Sequence, residues 1–161
     1  MCPARLGARV PTAVFLGVAA LRGHSLRWHK VGTDGSGKCD VFRTDRPDDQ
    51  VLGVLYSLPV AEKRALDRIE GVGHGYVDRP VEVTQLDGRP IIALTYVAMP
   101  DSIDRRLLPF DWYREHVVCG ARDRALPAAY LDALEAQPCR VDPDSGRASK
   151  ERAERTRGHD G

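Results

Sequence analysis

An acidic residue lies where a short helix is predicted to end. Pro59 suits the first turn of a helix, and Gly71 suits the left-handed residue that follows one. The sequence therefore predicts a helix over roughly residues 60–69, with Glu70 at its carboxyl end. A carboxylate there faces the negative end of the helix dipole, and Asp67 three residues earlier repels it. Both effects favour the protonated acid.

Glu70 is therefore a candidate general acid or base. Three glycines follow it, at positions 71, 73 and 75, where backbone can approach a ligand closely. A carboxyl group that readily exchanges its proton in such a place can serve acid–base catalysis. The alternative is an ordinary solvated acid near a helix end, and the residues themselves leave both interpretations open.

The other reactive side chains match few catalytic or metal-binding patterns. Metal-ligand spacing such as HExxH is absent among the five histidines, which are His24, His29, His74, His116 and His159. The four cysteines form no CxxC pair, and no serine lies in a GxSxG elbow. We expect reduced cysteines, an exposed His74, no metal site, no cofactor and no covalent intermediate.

A glycine-rich segment at residues 32–39 nearly matches the phosphate-binding pattern GxxxxGK[ST]. Cys39 replaces the hydroxyl that would hold magnesium, and residues 40–44 predict a strand where that pattern needs a helix. The segment is therefore interpreted as a hairpin loop rather than a nucleotide site.

Three tyrosines, Tyr76, Tyr96 and Tyr113, occupy positions predicted to face inward. Each phenol can order a polar substrate in an apolar pocket. Each can equally be a core residue whose hydroxyl reaches a backbone partner, which is the commoner case, so both roles stay open here.

The elements that must position these residues are mostly strands. Apolar runs and alternation predict strands over residues 12–21, 25–31, 40–44, 51–58, 76–85 and 91–97, and helices over 2–9, 60–69, 110–120 and 127–136. The first two strands are expected to pair through a turn at residues 22–24. Strand 51–58 is apolar enough to be central, Asp87-Gly88 marks a hairpin, and Pro80 indicates an edge or a bulge.

The length and net charge of the chain indicate a single domain without a general affinity for nucleic acid or membranes. A length of 161 residues and a formal charge of +1 at pH 7 indicate a single core and no general attraction to nucleic acid. No apolar run approaches a membrane span and no signal segment is recognisable, so a cytoplasmic location without membrane contact is expected. Residues 139–161 are polar and predict a disordered tail.

Several motifs that occur in order resemble the γ-glutamylcyclotransferase-like family. They are residues 51–56 (VLGVLY), residues 66–71 (LDRIEG) with Tyr76, residues 95–97 (TYV), Tyr113 six residues before residues 119–121 (CGA), and residues 126–127 (LP) with Tyr130. The resemblance extends over roughly residues 1–135. It implies an α+β fold: a small, mostly antiparallel β-barrel with flanking helices and a cavity at one end.

The resemblance also implies an activity and a set of site residues. In this family the free α-amine of a γ-glutamyl group attacks the γ-carbonyl, so that an amine or amino acid leaves and 5-oxoproline forms. By position the catalytic acid falls on Glu70, the substrate-ordering tyrosine on Tyr113, and a further substrate-binding tyrosine on Tyr76. The implied partner is a small γ-glutamyl compound, with no cofactor.

The start of the chain departs from the family pattern. Family members usually begin with a strand ending in Tyr-Gly-Ser-Asn, whose backbone amides hold the glutamyl group, and Met1 aligns just after that asparagine. The expected domain, residues 1–138, thus lacks the first barrel strand. Either the start was assigned too far downstream and the full protein carries the loop, or this form is truncated and binds substrate poorly. The rival hypothesis for the function is a non-catalytic ligand-binding or protein-interaction module that kept the fold and lost its loop.

Overall fold

The computed structural model describes residues 3–156 and divides the chain into two compact units. A β-rich unit comprises Val14–Leu107. A helical unit combines the amino-terminal residues up to Ala13 with the residues from Leu108 onward.

Six antiparallel strands build the β-rich unit. They are β1 (Val14–Arg22), β2 (His24–Val31), β3 (Gly37–Arg43), β4 (Gln50–Ser57), β5 (Tyr76–Gln85) and β6 (Pro90–Ala98). Helix α2 (Val60–Glu70) connects β4 to β5, and a 3-10 turn (Pro100–Ser102) follows β6. The Asp87-Gly88 turn joins β5 and β6 as an antiparallel hairpin, which confirms its prediction.

The strands of the described residues form two ladders and do not close into a barrel. One sheet has the order β4-β1-β5-β6, and the other pairs β2 with β3. A closed barrel needs every strand to pair on both sides, whereas β4 and β6 are edges of the larger sheet. The sheets of this part of the chain are therefore open, and the expected mostly antiparallel α+β class holds.

The first two strands lie in different sheets, so the predicted pairing between them is wrong. Strand β1 continues to Arg22 and β2 already begins at His24, which leaves Gly23 alone as the connection. A hairpin needs at least two loop residues. Gly23 instead donates its N–H to Asp49 and accepts one from Thr44, which fixes a corner between the sheets.

Two expectations about strand position have different outcomes. Strand β4 was expected to be central but is an edge, because it pairs only with β1 among the described strands. Pro80 opposes Leu94 of β6, and β1 pairs with β5 only at Thr84 and Gln85. The missing N–H of Pro80 therefore costs no ladder bond, as predicted for an edge-like position.

The core of the β-rich unit lies between the two sheets. Ala19, Leu21 and Val83 are buried there, and Val41 of β3 packs against them. Burial of such side chains contributes roughly 1.5–3 kcal/mol each, which holds the strands that carry the candidate site.

Among residues 3–156, the helical unit contains four helices. They are α1 (Pro3–Arg9), α3 (Asp111–Asp123), α4 (Ala128–Glu135) and α5 (Ser145–Thr156). Phe110, Trp112 and Ala148 form a buried cluster with Tyr113 against it. The two helices predicted over residues 110–120 and 127–136 are thus present, with shifted ends.

Helix α5 occupies part of the segment expected to be a disordered tail, so that expectation is wrong for residues 145–156. The helix contacts its surroundings mostly through charged side chains. Glu151 pairs with Arg5 of α1, and Arg152 pairs with Asp111 and Glu115 of α3. Because this packing face is charged, hydrophobic periodicity does not detect it. Residues 157–161 of the expected tail lie outside the described residues.

Candidate functional site

Glu70 is the last residue of helix α2, as the sequence predicts. Gly71 follows in the left-handed conformation, with φ 74° and ψ 40°. The Val72 N–H donates to the carbonyl of Asp67 at 2.9 Å, and the His74 N–H donates to that of Gly71 at 2.9 Å. The half-buried Glu70 is therefore held at a tight, hydrogen-bonded junction between α2 and β5.

Three side chains from three strands lie within electrostatic reach of Glu70. They are Lys30 of β2, Tyr76 of β5 and Tyr96 of β6. The negative charge of Glu70 raises the pKa of each of these groups. The structure thus brings together an acid, an ammonium and two phenols that lie up to 66 residues apart in the sequence.

Lys30 lies against Tyr76 and the loop that follows Glu70. Its Nζ atom is 4.7 Å from the centroid of the Tyr76 ring, within cation–π range. Burial lowers the pKa of Lys30 below its ordinary value, although Glu70 and Asp34 act in the opposite direction. Motif and spacing arguments do not find this residue, because β2 places it near Glu70 only in the folded sheet.

Gly75 provides the space that Lys30 occupies. A Cβ atom at position 75 would come within 2.9 Å of both the Cε and the Nζ of Lys30. The backbone φ of Gly75 is +154°, which side-chain-bearing residues rarely adopt. The glycines after Glu70 therefore do allow a close approach, and a lysine of the same chain makes it.

Tyr76 has a defined hydrogen bond. Its hydroxyl donates to the backbone carbonyl of Cys39 at 2.6 Å. Burial, followed by the electrostatic effects of Cys39, Glu70 and Asp40, raises the pKa of Tyr76 well above its ordinary value, so the phenol stays neutral. The bond to a backbone carbonyl matches the core role left open by the sequence, and the hydroxyl oxygen keeps capacity to accept a hydrogen bond.

Tyr96 connects β6 to helix α2. Its hydroxyl donates to Asp67 at 2.7 Å, and Lys63 donates to the same Asp67 oxygen. Burial opposes ionisation of Asp67, but these two hydrogen bonds lower its pKa below the ordinary value. The negative charge of Asp67 is thus balanced by Lys63.

A buried pair lies behind the Tyr76 hydroxyl. Asp40 of β3 accepts a hydrogen bond from the Ala98 N–H at 2.7 Å, and its second oxygen lies 2.9 Å from the Nε2 of His29. Both side chains are buried. The pair ties β2 and β3 to β6. The available sequence signal for it was a carboxylate placed directly between Cys39 and Val41.

The remaining candidates are placed as follows. His74 is exposed in the loop before β5, as expected. Tyr113 lies on α3 in the helical unit, half-buried, with its ring edge-on to Trp112 at 5.9 Å between centroids. Its assigned role in substrate binding stays a prediction.

The glycine-rich segment forms the β2–β3 hairpin loop, as interpreted. Asp34 accepts hydrogen bonds from the backbone and hydroxyl of Ser36, and Lys38 donates to both Asp34 and Ser36. Lys38, which a nucleotide site would direct to phosphate, is thus engaged within the loop. Within residues 3–156, no cluster of three metal-ligating side chains is found, and no helix is long and apolar enough to cross a membrane.

Comparison with known proteins gives one consistent relationship. A model of the AIG2-like family matches residues 50–134, more than half of the chain. The γ-glutamylcyclotransferase of Mus musculus is 28% identical over 144 residues, which cover 82% of this chain and 71% of the mouse protein. That of Homo sapiens is 27% identical over 161 residues, covering 91% and 78%.

Solved structures agree on the fold. An uncharacterised human protein superposes with a TM-score of 0.81 at 25% identity, covering 92% of this chain and 90% of that protein. A γ-glutamyl cyclotransferase superposes with a TM-score of 0.79 at 24% identity, covering 92% of both chains. The expected α+β fold is thereby confirmed.

Proposed function

The chain belongs to the AIG2-like family, a γ-glutamylcyclotransferase-like family, and from that membership we propose that it cyclises γ-glutamyl compounds to 5-oxoproline. The released product is the amine or amino acid that was attached to the γ-carbonyl. One observation carries the proposal: the acid that the family resemblance selects, Glu70, lies half-buried at a rigid helix end with Lys30, Tyr76 and Tyr96 around it.

The chemistry needs one group that takes a proton and returns it. The Glu70 carboxylate removes a proton from the α-ammonium of the substrate, and the neutral amine attacks the γ-carbonyl carbon. A C–N bond closes the five-membered ring, and the C–N bond to the leaving amine breaks. Protonated Glu70 gives its proton to the leaving amine, and the regenerated carboxylate takes the second proton of the attacking nitrogen, which the ring amide does not keep. That proton passes to the released amine, which becomes an ammonium ion, so Glu70 ends as a carboxylate and no redox partner or other reactant is needed.

The two tyrosines complete the proposal. The Tyr76 hydroxyl is neutral and already donates to the Cys39 carbonyl. Its oxygen can therefore accept a hydrogen bond from substrate, or its ring can form part of the surface that contacts substrate. Tyr113 is proposed to order the substrate by its phenol. No metal or cofactor enters this scheme, because the substrate supplies both the nucleophile and the leaving group.

The direct test is release of 5-oxoproline by the purified protein from γ-glutamyl amino acids, γ-glutamyl amines and glutathione, followed by mass spectrometry. We expect turnover of at least one of these compounds, with equimolar amine released. N-acetylated forms of the same compounds are the matched control, because a blocked α-amine cannot attack. Release of free glutamate, or binding without turnover across the panel, would contradict the proposal and support a ligand-binding module instead.

A further inference from the structure

The last turn of helix α2 is bound to two neighbouring strands by side-chain hydrogen bonds. The hydroxyl of Tyr96, on β6, donates to a carboxylate oxygen of Asp67 at 2.7 Å. Lys63 donates to the same oxygen and also, at 3.0 Å, to Asp78 on β5. These contacts tie the helix to β5 and β6 at the turn that ends with Glu70.

Helix α2 depends on these polar contacts because it has little apolar packing. Among its 11 residues, all of them described, Leu66 alone is buried, and Val60 and Ile69 are 75% and 51% exposed. A helix of this length is marginal in water without tertiary contacts. One buried leucine does not by itself set the orientation of the helix, because apolar contact is non-directional. Hydrogen bonds are directional and can set it.

Tyr96 is suited to hold this turn because its hydroxyl stays protonated. Burial, followed by the hydrogen bond to Asp67, raises the pKa of Tyr96 above its ordinary value, so the phenol remains a donor. A hydrogen bond to a carboxylate is shorter and roughly twice as strong as one between neutral groups. The rigid ring of Tyr96 thus gives the carboxylate a defined position, whereas the long side chain of Lys63 divides its bonds between two acids.

The position of Asp67 is transmitted to Glu70 through a short, hydrogen-bonded stretch of backbone. The Asp67 carbonyl accepts the Val72 N–H at 2.9 Å, and the Arg68 carbonyl accepts the Gly71 N–H at 3.3 Å. Residues three apart on a helix have Cβ atoms only about 5–6 Å from each other. A displacement of Asp67 therefore displaces Glu70 as well.

We infer that Tyr96 is a positioning residue for the proposed reaction: its hydrogen bond to Asp67 fixes the last turn of α2 and so sets where the Glu70 carboxylate meets the substrate amine. This inference rests on the proposed function. Displacement of a reacting group by about 1 Å can cost on the order of a hundredfold in rate. The phenol of Tyr96 thus acts through Asp67 and not by contact with substrate.

A double-mutant cycle measured in kcat tests the inference. We expect Tyr96→Phe and Asp67→Ala each to lower kcat about tenfold, with KM within about twofold of wild type. The double variant should be no slower than Asp67→Ala, because the two residues act through one hydrogen bond. Arg64→Ala, at an exposed position of the same helix, is the control and should keep the wild-type kcat.

Each of three kinetic results would overturn the inference. One is a wild-type kcat in Tyr96→Phe, and another is a raised KM at unchanged kcat in that variant. The third is a further fall of the same size when Tyr96→Phe is added to Asp67→Ala. The last two results would indicate that the phenol contacts substrate directly.

Amide hydrogen exchange followed by NMR tests the same coupling without turnover. In Tyr96→Phe we expect the Gly71 and Val72 amides to exchange about tenfold faster than in wild type, because a hydrogen bond to a charged group no longer holds the turn. The same amides should exchange at the wild-type rate in Arg64→Ala.

The two measurements separate the inference from the proposed function. Unchanged exchange at Gly71 and Val72 in Tyr96→Phe would overturn the positioning role in a protein that still turns over substrate. Absence of 5-oxoproline from the wild-type reaction would contradict the proposed function and leave the exchange readout intact.

Discussion

At the scale of single residues, the environment of Glu70 depends on residues from other elements as well as on its position at the end of helix α2. The sequence argument relied on the helix dipole and on repulsion from Asp67 to favour the protonated acid. In the structure Asp67 is paired with Lys63, and Lys30 of β2 lies against Tyr76 and Gly75 in the segment that follows Glu70. The packing beside Glu70 is thus formed by strands as well as by its own helix.

Tyr76 gives a prediction at this scale. Tyr76→Phe removes the donor to the Cys39 carbonyl, so we expect the free energy of unfolding in urea to fall by about 0.5–1.5 kcal/mol. Tyr113→Phe is the contrasting variant, because its phenol is proposed to contact substrate, and there we expect a higher KM with smaller change in stability. Equal stability of wild type and Tyr76→Phe would show that the hydrogen bond contributes nothing.

At the scale of elements, Asp142 fixes the start of α5 to α3. It accepts hydrogen bonds from the Nε1 of Trp112 and the Nε of Arg147, each at 2.7 Å. The Arg147 guanidinium, against the effect of burial, holds the pKa of Asp142 well below its usual range. This buried, hydrogen-bonded carboxylate adds to the apolar contact that Ala148 of α5 makes with Phe110 and Trp112.

Asp142 also makes the folding stability of the protein depend on pH. The pKa of Asp142 is lower in the folded chain than in the unfolded chain. The stability that its ionised form contributes is therefore complete above the unfolded pKa near 3.9, and it is lost as the pH falls toward the folded pKa. We expect Asp142→Asn to lose about 2 kcal/mol of stability at pH 7, and the difference from wild type to narrow below about pH 4. Urea unfolding followed by tryptophan fluorescence at several pH values measures it.

Asp132→Asn, at an exposed position of α4, is the control for Asp142→Asn. A stability difference between wild type and Asp142→Asn that stays constant from pH 7 to pH 3 would contradict the assignment.

The β2–β3 hairpin loop gives a second prediction at the scale of elements. A Cβ at position 32 would lie 2.6 Å from the Cε of Lys38, 2.7 Å from a carboxylate oxygen of Asp34 and 3.0 Å from the Ser36 carbonyl. Gly32→Ala must therefore disturb the loop, and we expect a loss of about 1–3 kcal/mol in thermal unfolding. Gly53→Ala is the control, since nothing lies within 4 Å of its Cβ position. Equal losses in both variants would contradict this account.

The elements also show what the sequence could predict. Helix α2 was located to within one residue, because Pro59 and Gly71 act locally at its ends. Helix α5 was missed, since its packing depends on ion pairs with residues far away in the chain. Long-range strand pairing determines the partners of β1 and brings Lys30 near Glu70. Residues adjacent in the sequence do not indicate which strands will pair.

At the scale of the whole molecule, the relatives match residues from both units. The family model runs from β4 to α4, and the solved relatives cover 92% of the chain. The β-rich unit holds Glu70, Lys30 and Tyr76, and the helical unit holds Tyr113. The similarity to these relatives therefore extends over residues of both units.

The most direct test of the central claim is the rate of 5-oxoproline release by wild type and Glu70→Gln under identical conditions. The amide keeps the size of the side chain but cannot accept the proton, so we predict a fall in kcat of roughly 10²–10⁴-fold with the fold retained by circular dichroism. Glu82→Gln, exposed on β5, should turn over at the wild-type rate. Equal kcat values for wild type and Glu70→Gln would contradict the assignment of Glu70 as the acid–base group.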